Sequence, residues 1–440
     1  MKSKQSGRRR FLKDGVVLAG LAVGAMQPAI GQTPASEPAG APTKDRRAYG
    51  QPSHFENVIR TPKSKSLSKT EAIPNPTSIP PTPPSLATPI QDLMGVITPP
   101  GLFFDIGPDP PPDIDPRQHR LLIHGMVDRP VILTMEELNR LPSVTRVHYI
   151  ECGGNGGPTN QPNMALGGLM TNDYMTLLNT HGSVGCCEWT GVPLSVLFKE
   201  VGVQSGASWF IAESADAKKH TRSIPVAKAM DDALLIYGQN GEAIRPEQGY
   251  PLRLLLPGWE GNTNVKWLRR IKLVDQPAMT RWEATWYPSL RPDGTSRWLQ
   301  FEMGVKSVIT FPSVGQQLPG RGFYEIRGLA WSGGGSIRRV EVSTDGGKTW
   351  KDAQLQEPVH RKAFTQFRLA WNWNGEELIL QCRCTDDTGD VQPTLAEFGQ
   401  RLGITSMEYW RTSTNVTEHF NAIQPWRVTR DGKVHNALLA

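Results

Sequence analysis

The chain has 440 residues, of which 38% are hydrophobic and 20% charged, and it includes 13 tryptophans. This composition excludes a disordered or fibrous protein and predicts two or three folded domains. The formal net charge is +6, but residues 1–31 contain six basic residues and one acidic residue, so the rest of the chain has a net charge of +1. No basic patch interleaved with aromatic residues indicates a nucleic-acid partner.

Residues 1–31 have the pattern of an export signal. The segment Arg8–Lys13 reads Arg-Arg-Arg-Phe-Leu-Lys and precedes an apolar run from Val16 to Met26. The run is too short to cross a bilayer, and small residues near its end suit cleavage. The basic segment resembles a twin-arginine signal, which exports folded proteins, so we expect a periplasmic protein without a membrane span after signal removal. A general secretory signal with extra basic residues is the alternative.

Residues 32–89 are predicted to form an arm or linker. Eight prolines lie between Pro62 and Pro89, and apolar residues are sparse. Such a composition favours extended, polyproline-like backbone rather than a packed core.

Residues 90–295 are predicted to form a mixed α+β domain. Alternating apolar patterns and turn residues predict strands at His119–Val127, Thr145–Ile150, Trp209–Ala212, Leu234–Tyr237, Glu242–Ile244, Leu252–Leu256 and Ile271–Val274. Helices are predicted at Met135–Leu141 (capped by Thr134), Pro193–Glu200 and Val226–Ala233. The dipeptide Asn240-Gly241 predicts a tight hairpin.

Residues 296–430 change to short strands separated by glycine- and proline-rich turns, which predicts an immunoglobulin-like β-sandwich with a C-terminal tail. The predicted strands are Val308–Thr310, Tyr324–Leu329, Ile337–Ser343, Thr365–Leu369 and Leu378–Cys384. Cys382 and Cys384 alternate along the last of these strands, so we expect both to pack in the core. The Cys…Trp…Cys spacing of true immunoglobulin domains is absent, so only the architecture is implied.

The stretch His148–Gly157 is the clearest candidate for chemistry. A β-prone run ends there in a loop with four glycines and one cysteine, Cys152. Glycines let backbone approach a bound group closely, so we interpret Cys152 as a thiolate ligand of a metal cofactor. A small buried cysteine is the alternative. Asn155 is expected to order the loop through side-chain-to-backbone bonds.

Several motifs occur in a fixed order along the chain. They are Glu151–Gly156, Ser223–Pro225, Pro251–Arg253, Val265–Arg270 and Val340–Trp350. The ordered set resembles the sulfite oxidase family of molybdenum enzymes over roughly residues 90–430. Further segments are most similar to the molybdenum subunits of sulfane dehydrogenases from the bacterial Sox thiosulfate-oxidising system. These segments are Asp113–Leu121, Cys187–Val196, Arg245–Pro251 and Gly328–Gly333.

The resemblance implies an oxo-molybdenum centre carried by a molybdopterin dithiolene, with Cys152 as the protein's ligand and the sandwich as a dimerisation domain. A soft thiolate suits such a metal. Arg253 and Lys266 are candidates for binding the cofactor phosphate, although solvated surface charge is the alternative. Tyr287 matches the family's active-site tyrosine and could donate a hydrogen bond beside the metal. A half-buried loop tyrosine is the alternative for that residue.

Two departures from the family pattern affect the expected substrate. Gly157 stands where sulfite oxidases have an arginine that meets the anionic substrate, which argues against free sulfite. The segment Phe104–Pro108 reads Phe-Asp-Ile-Gly-Pro, where the family has an arginine and a histidine after the phenylalanine. Either another cation substitutes for this pair, or the enzyme is weakened.

The resulting expectation is a periplasmic molybdenum-dependent sulfane dehydrogenase subunit whose substrate is sulfane sulfur on a cysteine of a small carrier protein. The chain has no Cys-x-x-Cys-His, so the c-type haem that receives electrons would belong to a separate cytochrome subunit. A homodimer formed through the sandwich is expected. The alternatives are a dehydrogenase acting on free sulfite and a non-catalytic homologue.

Overall fold

A computed structural model describes residues 56, 58–62, 85–106, 110–156, 177–285, 287–406 and 419–438. The predicted export signal and most of the predicted arm lie outside these ranges, as do Gly107, Pro108 and Gly157. Within them, no helix is long and apolar enough to cross a membrane.

The N-terminal domain is built mainly from two five-stranded sheets, one antiparallel and one mixed, and short helices, which confirms the predicted α+β class. Its strands are β1 (Thr61–Pro62), β2 (Leu86–Ala87), β3 (Arg120–Gly125), β4 (Val131–Thr134), β5 (Val144–Glu151), β6 (Val184–Pro193), β7 (Trp209–Ser214), β8 (Thr221–Pro225), β9 (Leu234–Gln239), β10 (Glu242–Ala243), β11 (Arg253–Leu255), β12 (Leu268–Val274), β13 (Ser289–Leu290) and β14 (Ser296–Arg297). Its α-helices are α1 (Met135–Asn139), α2 (Leu177–His181), α3 (Leu194–Val201), α4 (Val226–Asp231) and α5 (Arg281–Thr285).

Each of the two sheets of this domain contributes to the candidate site described below. One sheet has the order β10-β9-β6-β5, with β11 also paired to β9, and the other has the order β4-β3-β12-β7-β8. Strands β3 and β12 run parallel, while the other neighbours are antiparallel. Helix α3 buries Leu194, Leu197, Phe198 and Val201, the spacing of one helix face, in the core of the second sheet.

The elements predicted for this domain are present, with small differences at their ends. Thr134 caps α1 in a capping box with Glu137, and Asn240 and Gly241 both have positive φ in the β9–β10 hairpin. The sequence prediction missed β6, although it lies between β5 and β9. Both faces of β6 are largely buried, so its sequence lacks the polar–apolar alternation from which a half-exposed strand is recognised.

The C-terminal domain is a two-sheet β-sandwich, as predicted. Its elements are β15 (Lys306–Phe311), β16 (Gly322–Trp331), β17 (Ile337–Ser343), β18 (Lys351–Asp352), β19 (Gln354–Leu355), β20 (Thr365–Trp373), β21 (Leu378–Asp386), α6 (Leu395–Arg401), β22 (Trp426–Val428) and β23 (Val434–Asn436). The sheet orders are β15-β16-β20-β19 and β18-β17-β21-β22-β23. The tail therefore adds two strands to the second sheet, and that sheet continues beyond residue 430.

The sandwich core extends to the end of β5. Cys382 and Cys384 are buried in it, as predicted from their alternation along β21. Tyr149 on β5 belongs to the same apolar cluster as Trp331 and Phe364 of the sandwich. The strand that leads into the cysteine loop is thus packed against the C-terminal domain.

Candidate functional site

Cys152 follows directly after β5, where the chain leaves the sheet. Its backbone N–H donates to the Ser183 carbonyl at 2.9 Å, and its own carbonyl accepts from the Asn155 N–H at 2.9 Å. The Cys152 side chain is half-buried. The backbone bonds fix the start of the loop, so the position of the sulfur is set by β5.

The loop is ordered by Asn155, as predicted. The Asn155 side-chain amide donates to Glu151 Oε1 at 2.9 Å, and Asn155 Oδ1 accepts from the Ser183 N–H at 2.9 Å. Asn155 is completely buried, so these bonds satisfy a polar group that water does not reach.

The segment Glu260–Asn262 packs against the cysteine loop. A Cβ atom built on Gly261 would lie 2.7 Å from the Glu151 carbonyl oxygen and 3.3 Å from Cys152 Cα, so only glycine permits this approach. The Glu260 carboxylate lies beside Gly153, because a Cβ on Gly153 would be 2.7 Å from Glu260 Oε1. The segment therefore brings a buried acid to the edge of the cysteine loop.

A cluster of one cation and three rings contacts this segment. His220 Nε2 is 2.8 Å from the Asn262 carbonyl oxygen, which ties the cluster to the segment. The His220 ring centroid is 5.1 Å from that of Trp282 and 6.3 Å from that of Tyr287. Arg222 Cζ is 4.6 Å from the centre of the Tyr287 ring. Tyr287 thus lies in a cluster, called here the aromatic wall, with three residues that were not predicted: His220, Arg222 and Trp282.

Burial controls protonation in this wall. It lowers the pKa of His220 to about 4, so the imidazole is neutral at neutral pH. Burial also raises the pKa of Tyr287, while the Arg222 charge opposes that shift and the Cys152 thiolate adds to it. Tyr287 is therefore a protonated phenol within electrostatic range of Cys152, which is the arrangement expected of a hydrogen-bond donor.

Arg253 and Lys266 lie close together, as expected of a shared anion site, but both are engaged within the protein. Arg253 Nη1 donates to Gln248 O at 3.2 Å and Gln248 Oε1 at 3.1 Å, and Nε donates to Asn264 O at 3.3 Å. Burial lowers the pKa of Arg253 to about 10. The predicted alternative of solvated surface charge is wrong for Arg253, because its side chain is buried among these partners.

Lys266 pairs with a residue of the departure from the family pattern. Its Nζ donates to Asp105 Oδ1 at 2.8 Å and to the Glu247 carbonyl at 2.7 Å. Burial lowers the pKa of Lys266, and the Asp105 carboxylate opposes that shift. Asp105 thus replaces an expected cation with an anion and also neutralises a neighbouring cation.

Behind the cysteine loop, a buried ion pair joins the two domains. Lys306 Nζ on β15 is 2.7 Å from Glu151 Oε1 and donates to the Asn155 carbonyl at 2.8 Å. The Trp331 indole N–H donates to Glu151 Oε2 at 2.7 Å. Burial opposes ionisation of Glu151, but Lys306 and His419 lower the pKa of this carboxyl below its usual range.

His220, Arg222 and Glu260 were missed by the sequence prediction. Arg222 immediately precedes the Ser223–Pro225 motif, and a cation inside a strand that buries its middle residues is a usable signal. Glu260 and His220 carry no such signal, because their importance depends on a contact between segments that are distant in the chain. Among the described residues, no group of three or more His, Cys, Asp or Glu side chains is arranged to hold a metal ion.

Comparisons with known proteins agree with this architecture. Residues 108–282 match the family model described as an oxidoreductase molybdopterin binding domain, and residues 297–417 match the Mo-co oxidoreductase dimerisation domain. Mitochondrial sulfite oxidase from Mus musculus is 29% identical over 75% of this chain and 64% of its own length. NADH nitrate reductase from Solanum lycopersicum is 31% identical over 69% of this chain and 37% of its own length. The chain therefore spans less than two thirds of these relatives.

The likeness to one solved structure covers nearly the whole chain. The crystal structure of the sulfane dehydrogenase SoxCD from Paracoccus pantotrophus matches with a TM-score of 0.77 and 38% sequence identity. The match covers 94% of this chain and 99% of the matched chain.

Proposed function

The chain belongs to the sulfite oxidase family of molybdopterin oxidoreductases, and from this premise we propose that it is the molybdenum subunit of a periplasmic sulfane dehydrogenase. Its substrate is sulfane sulfur carried on a cysteine of a small protein, and its electrons pass to a c-type cytochrome subunit. Export by the twin-arginine route and a homodimer formed through the sandwich complete the proposal.

The residues of the site fit a molybdenum–pterin cofactor. Cys152 offers one soft ligand, on a loop that the backbone of Gly261 approaches closely. Arg253 and Lys266 offer neighbouring buried cations for the phosphate, with Lys266 exchanging its Asp105 partner for the phosphate. When bound, the cofactor supplies the two-electron oxidation of sulfur.

The protein's own groups orient the substrate and handle protons. Tyr287 stays protonated because burial raises its pKa, so its O–H donates a hydrogen bond to a group bound beside Cys152. His220 is neutral and holds the Glu260–Asn262 segment through the Asn262 carbonyl, which keeps that segment against the cysteine loop.

One observation carries the proposal: Cys152, directly after β5, and Tyr287, a protonated phenol, lie within electrostatic range of each other. This proximity supports the proposed roles of Cys152 as the metal ligand and Tyr287 as a hydrogen-bond donor. The likeness to the sulfane dehydrogenase structure supports the choice of substrate.

The test is Cys152→Ser, with Cys382→Ser as the matched control because Cys382 is buried in the sandwich. The assay is reduction of cytochrome c with a synthetic peptide whose cysteine carries a persulfide. We expect Cys152→Ser to lose at least about a hundredfold in rate, since the metal loses its protein thiolate. Cys382→Ser should retain activity. Full activity of Cys152→Ser would overturn the ligand assignment.

A second candidate function is oxidation of free sulfite, which the likeness to mitochondrial sulfite oxidases favours. Gly157, in the position of the substrate-binding arginine of those enzymes, counts against it. Sulfite alone should therefore give slow cytochrome c reduction that does not saturate. Rapid and saturable reduction would favour this second function over the first.

A further inference from the structure

Arg222 lies in the middle of β8 with its side chain completely buried. Neither its Nε nor its Nη1 donates a hydrogen bond to any described residue. The two cations considered above for the cofactor phosphate differ in this respect, since Arg253 donates to Gln248 and Asn264 and Lys266 donates to Asp105. Arg222 is thus a buried cation of which two nitrogens, Nε and Nη1, have no acceptor among the described residues.

The nearest carboxylate does not supply the missing hydrogen bonds. Glu283 Oε1 is 3.9 Å from Arg222 Nε, which is beyond hydrogen-bond distance. Glu283 already accepts from the Ser223 N–H at 2.5 Å, from Ser223 Oγ at 3.0 Å and from Thr280 Oγ1 at 2.9 Å. Glu283 therefore contributes a negative charge while its oxygens serve other donors.

Arg222 lies against Tyr287, the tyrosine of the candidate site. Its guanidinium lies over the Tyr287 ring at 4.6 Å, and Tyr287 is within electrostatic range of Cys152. A buried charge without hydrogen bonds is costly, and an anionic ligand would offset that cost. The planar guanidinium matches oxyanions, because its parallel N–H groups can meet two oxygens at once.

We propose that Arg222 binds the oxyanion of the sulfur group that is oxidised at this site. The proposal rests on the proposed function, which places the reacting sulfur beside Cys152 and Tyr287. Three two-electron steps convert the persulfide R–S–S⁻ to R–S–SO₃⁻, and each step takes one oxygen from water, releases two protons and passes two electrons to the cytochrome. The net charge of the group stays the same but moves from sulfur onto oxygens that a guanidinium can bind, so the Arg222 contact strengthens as the reaction proceeds. Arg222 is accordingly a residue that determines specificity for anionic sulfur groups.

The same chemistry could come from the phosphate of the cofactor, so the experiment distinguishes the two sources. The variants are Arg222→Gln and Arg222→Lys, purified from a host that loads the cofactor. Arg270→Gln is the control, because Arg270 is a partly exposed arginine paired with Glu213 on the neighbouring sheet strands. Inorganic sulfate is the probe, titrated at constant ionic strength against chloride and followed by tryptophan fluorescence, since Trp282 lies beside His220 and Tyr287.

We expect the dissociation constant for sulfate to rise at least about tenfold in Arg222→Gln, as for the loss of a charge-assisted hydrogen bond. Arg222→Lys should show a smaller rise, and Arg270→Gln should behave as the wild type. Molybdenum and pterin contents should stay unchanged, and the KM for the persulfide peptide should rise with sulfate's dissociation constant.

An unchanged affinity for sulfate in Arg222→Gln would overturn the proposal, and so would a loss of pterin, which would assign Arg222 to the cofactor phosphate. If Arg222→Gln does not fold, the affinity of Arg222→Lys decides. Sulfate binding needs no turnover. Sulfate binding through Arg222 in a protein that oxidises no persulfide would therefore refute the proposed function and leave an anion site.

Discussion

Two buried cations lie near the cysteine loop, and they differ in whether the protein supplies their hydrogen-bond acceptors. Behind the loop, Lys306 has a carboxylate and a carbonyl within hydrogen-bond distance, and Glu151 is in turn held by Trp331. In front of the loop, the Nε and Nη1 of Arg222 meet no acceptor among the described residues. Both side chains are withdrawn from water to a similar degree.

The difference indicates what each cation is for. A buried network whose members satisfy each other specifies one arrangement of the chain, so the pair of Lys306 and Glu151 fixes the junction between the domains. A buried cation with unused donors is costly, and the anionic ligand proposed for Arg222 would offset that cost. We therefore assign the Lys306–Glu151 pair a structural role and Arg222 the proposed role in anion binding.

The largest effect on stability is expected from Lys306→Met, which tests the structural role of the buried pair. The change leaves the Glu151 carboxylate buried without its cation, which should lower the free energy of unfolding by about 3–5 kcal/mol. Urea unfolding at pH 7 measures it. The double variant Glu151→Gln/Lys306→Met removes both charges and should recover at least half of the loss. Equal destabilisation of the single and double variants would show that the pair is not the structural element described.

A second effect concerns acid stability. Burial lowers the pKa of His419, which faces Glu151, to about 4, below the value of about 6.5 in an unfolded chain. Between these values the unfolded state binds more protons, so this contribution is fully present above pH 6.5 and is lost as the pH falls towards 4. His419→Leu should remove about 3 kcal/mol of that pH dependence.

Urea unfolding of the wild type and of His419→Leu at pH 8, 6 and 4.5 measures this contribution. At pH 8 the difference between their free energies of unfolding should reflect packing alone, because the imidazole is neutral in both the folded and the unfolded state. Parallel pH profiles for the two proteins would show that His419 titrates normally and is not buried as described.

The smallest effect is expected from Asp105→Asn. The change removes the carboxylate that competes with a phosphate for Lys266, so cofactor retention should improve by about 1 kcal/mol, or roughly fivefold in the dissociation constant. The rate of molybdenum and pterin loss during dialysis measures it. Leu133→Ala on β4, an edge strand of the second sheet, is a control for general loosening. Faster loss from Asp105→Asn would show that Asp105 supports the cofactor site instead.

Sequence patterns predicted the parts of the molecule that depend on local physics. The Thr134 cap, the Asn240-Gly241 hairpin and the alternation of Cys382 and Cys384 each follow from a few neighbouring residues. The strand β6 was not predicted, because burial of both its faces removes the alternation of polar and apolar residues on which the prediction of a strand depends.

The candidate site divides in the same way. Cys152 and Tyr287 could be singled out from motifs, and the structure places them within electrostatic range of each other. The pairing of Lys266 with Asp105 joins residues 161 positions apart, and Arg222 is distinguished by the hydrogen bonds it lacks. Neither property is written in the local sequence, since both depend on which side chains the fold brings into contact.

The most direct test of the central claim is the molybdenum content per chain, measured by elemental mass spectrometry on protein purified from the periplasm of a native or matched host. A chain whose Cys152 holds a molybdenum–pterin cofactor should carry about one molybdenum atom. Cys382→Ser should carry the same amount. Protein free of molybdenum, from a host that loads a related enzyme, would contradict the account and identify the Asp105–Lys266 pair as the mark of a chain that no longer binds the cofactor.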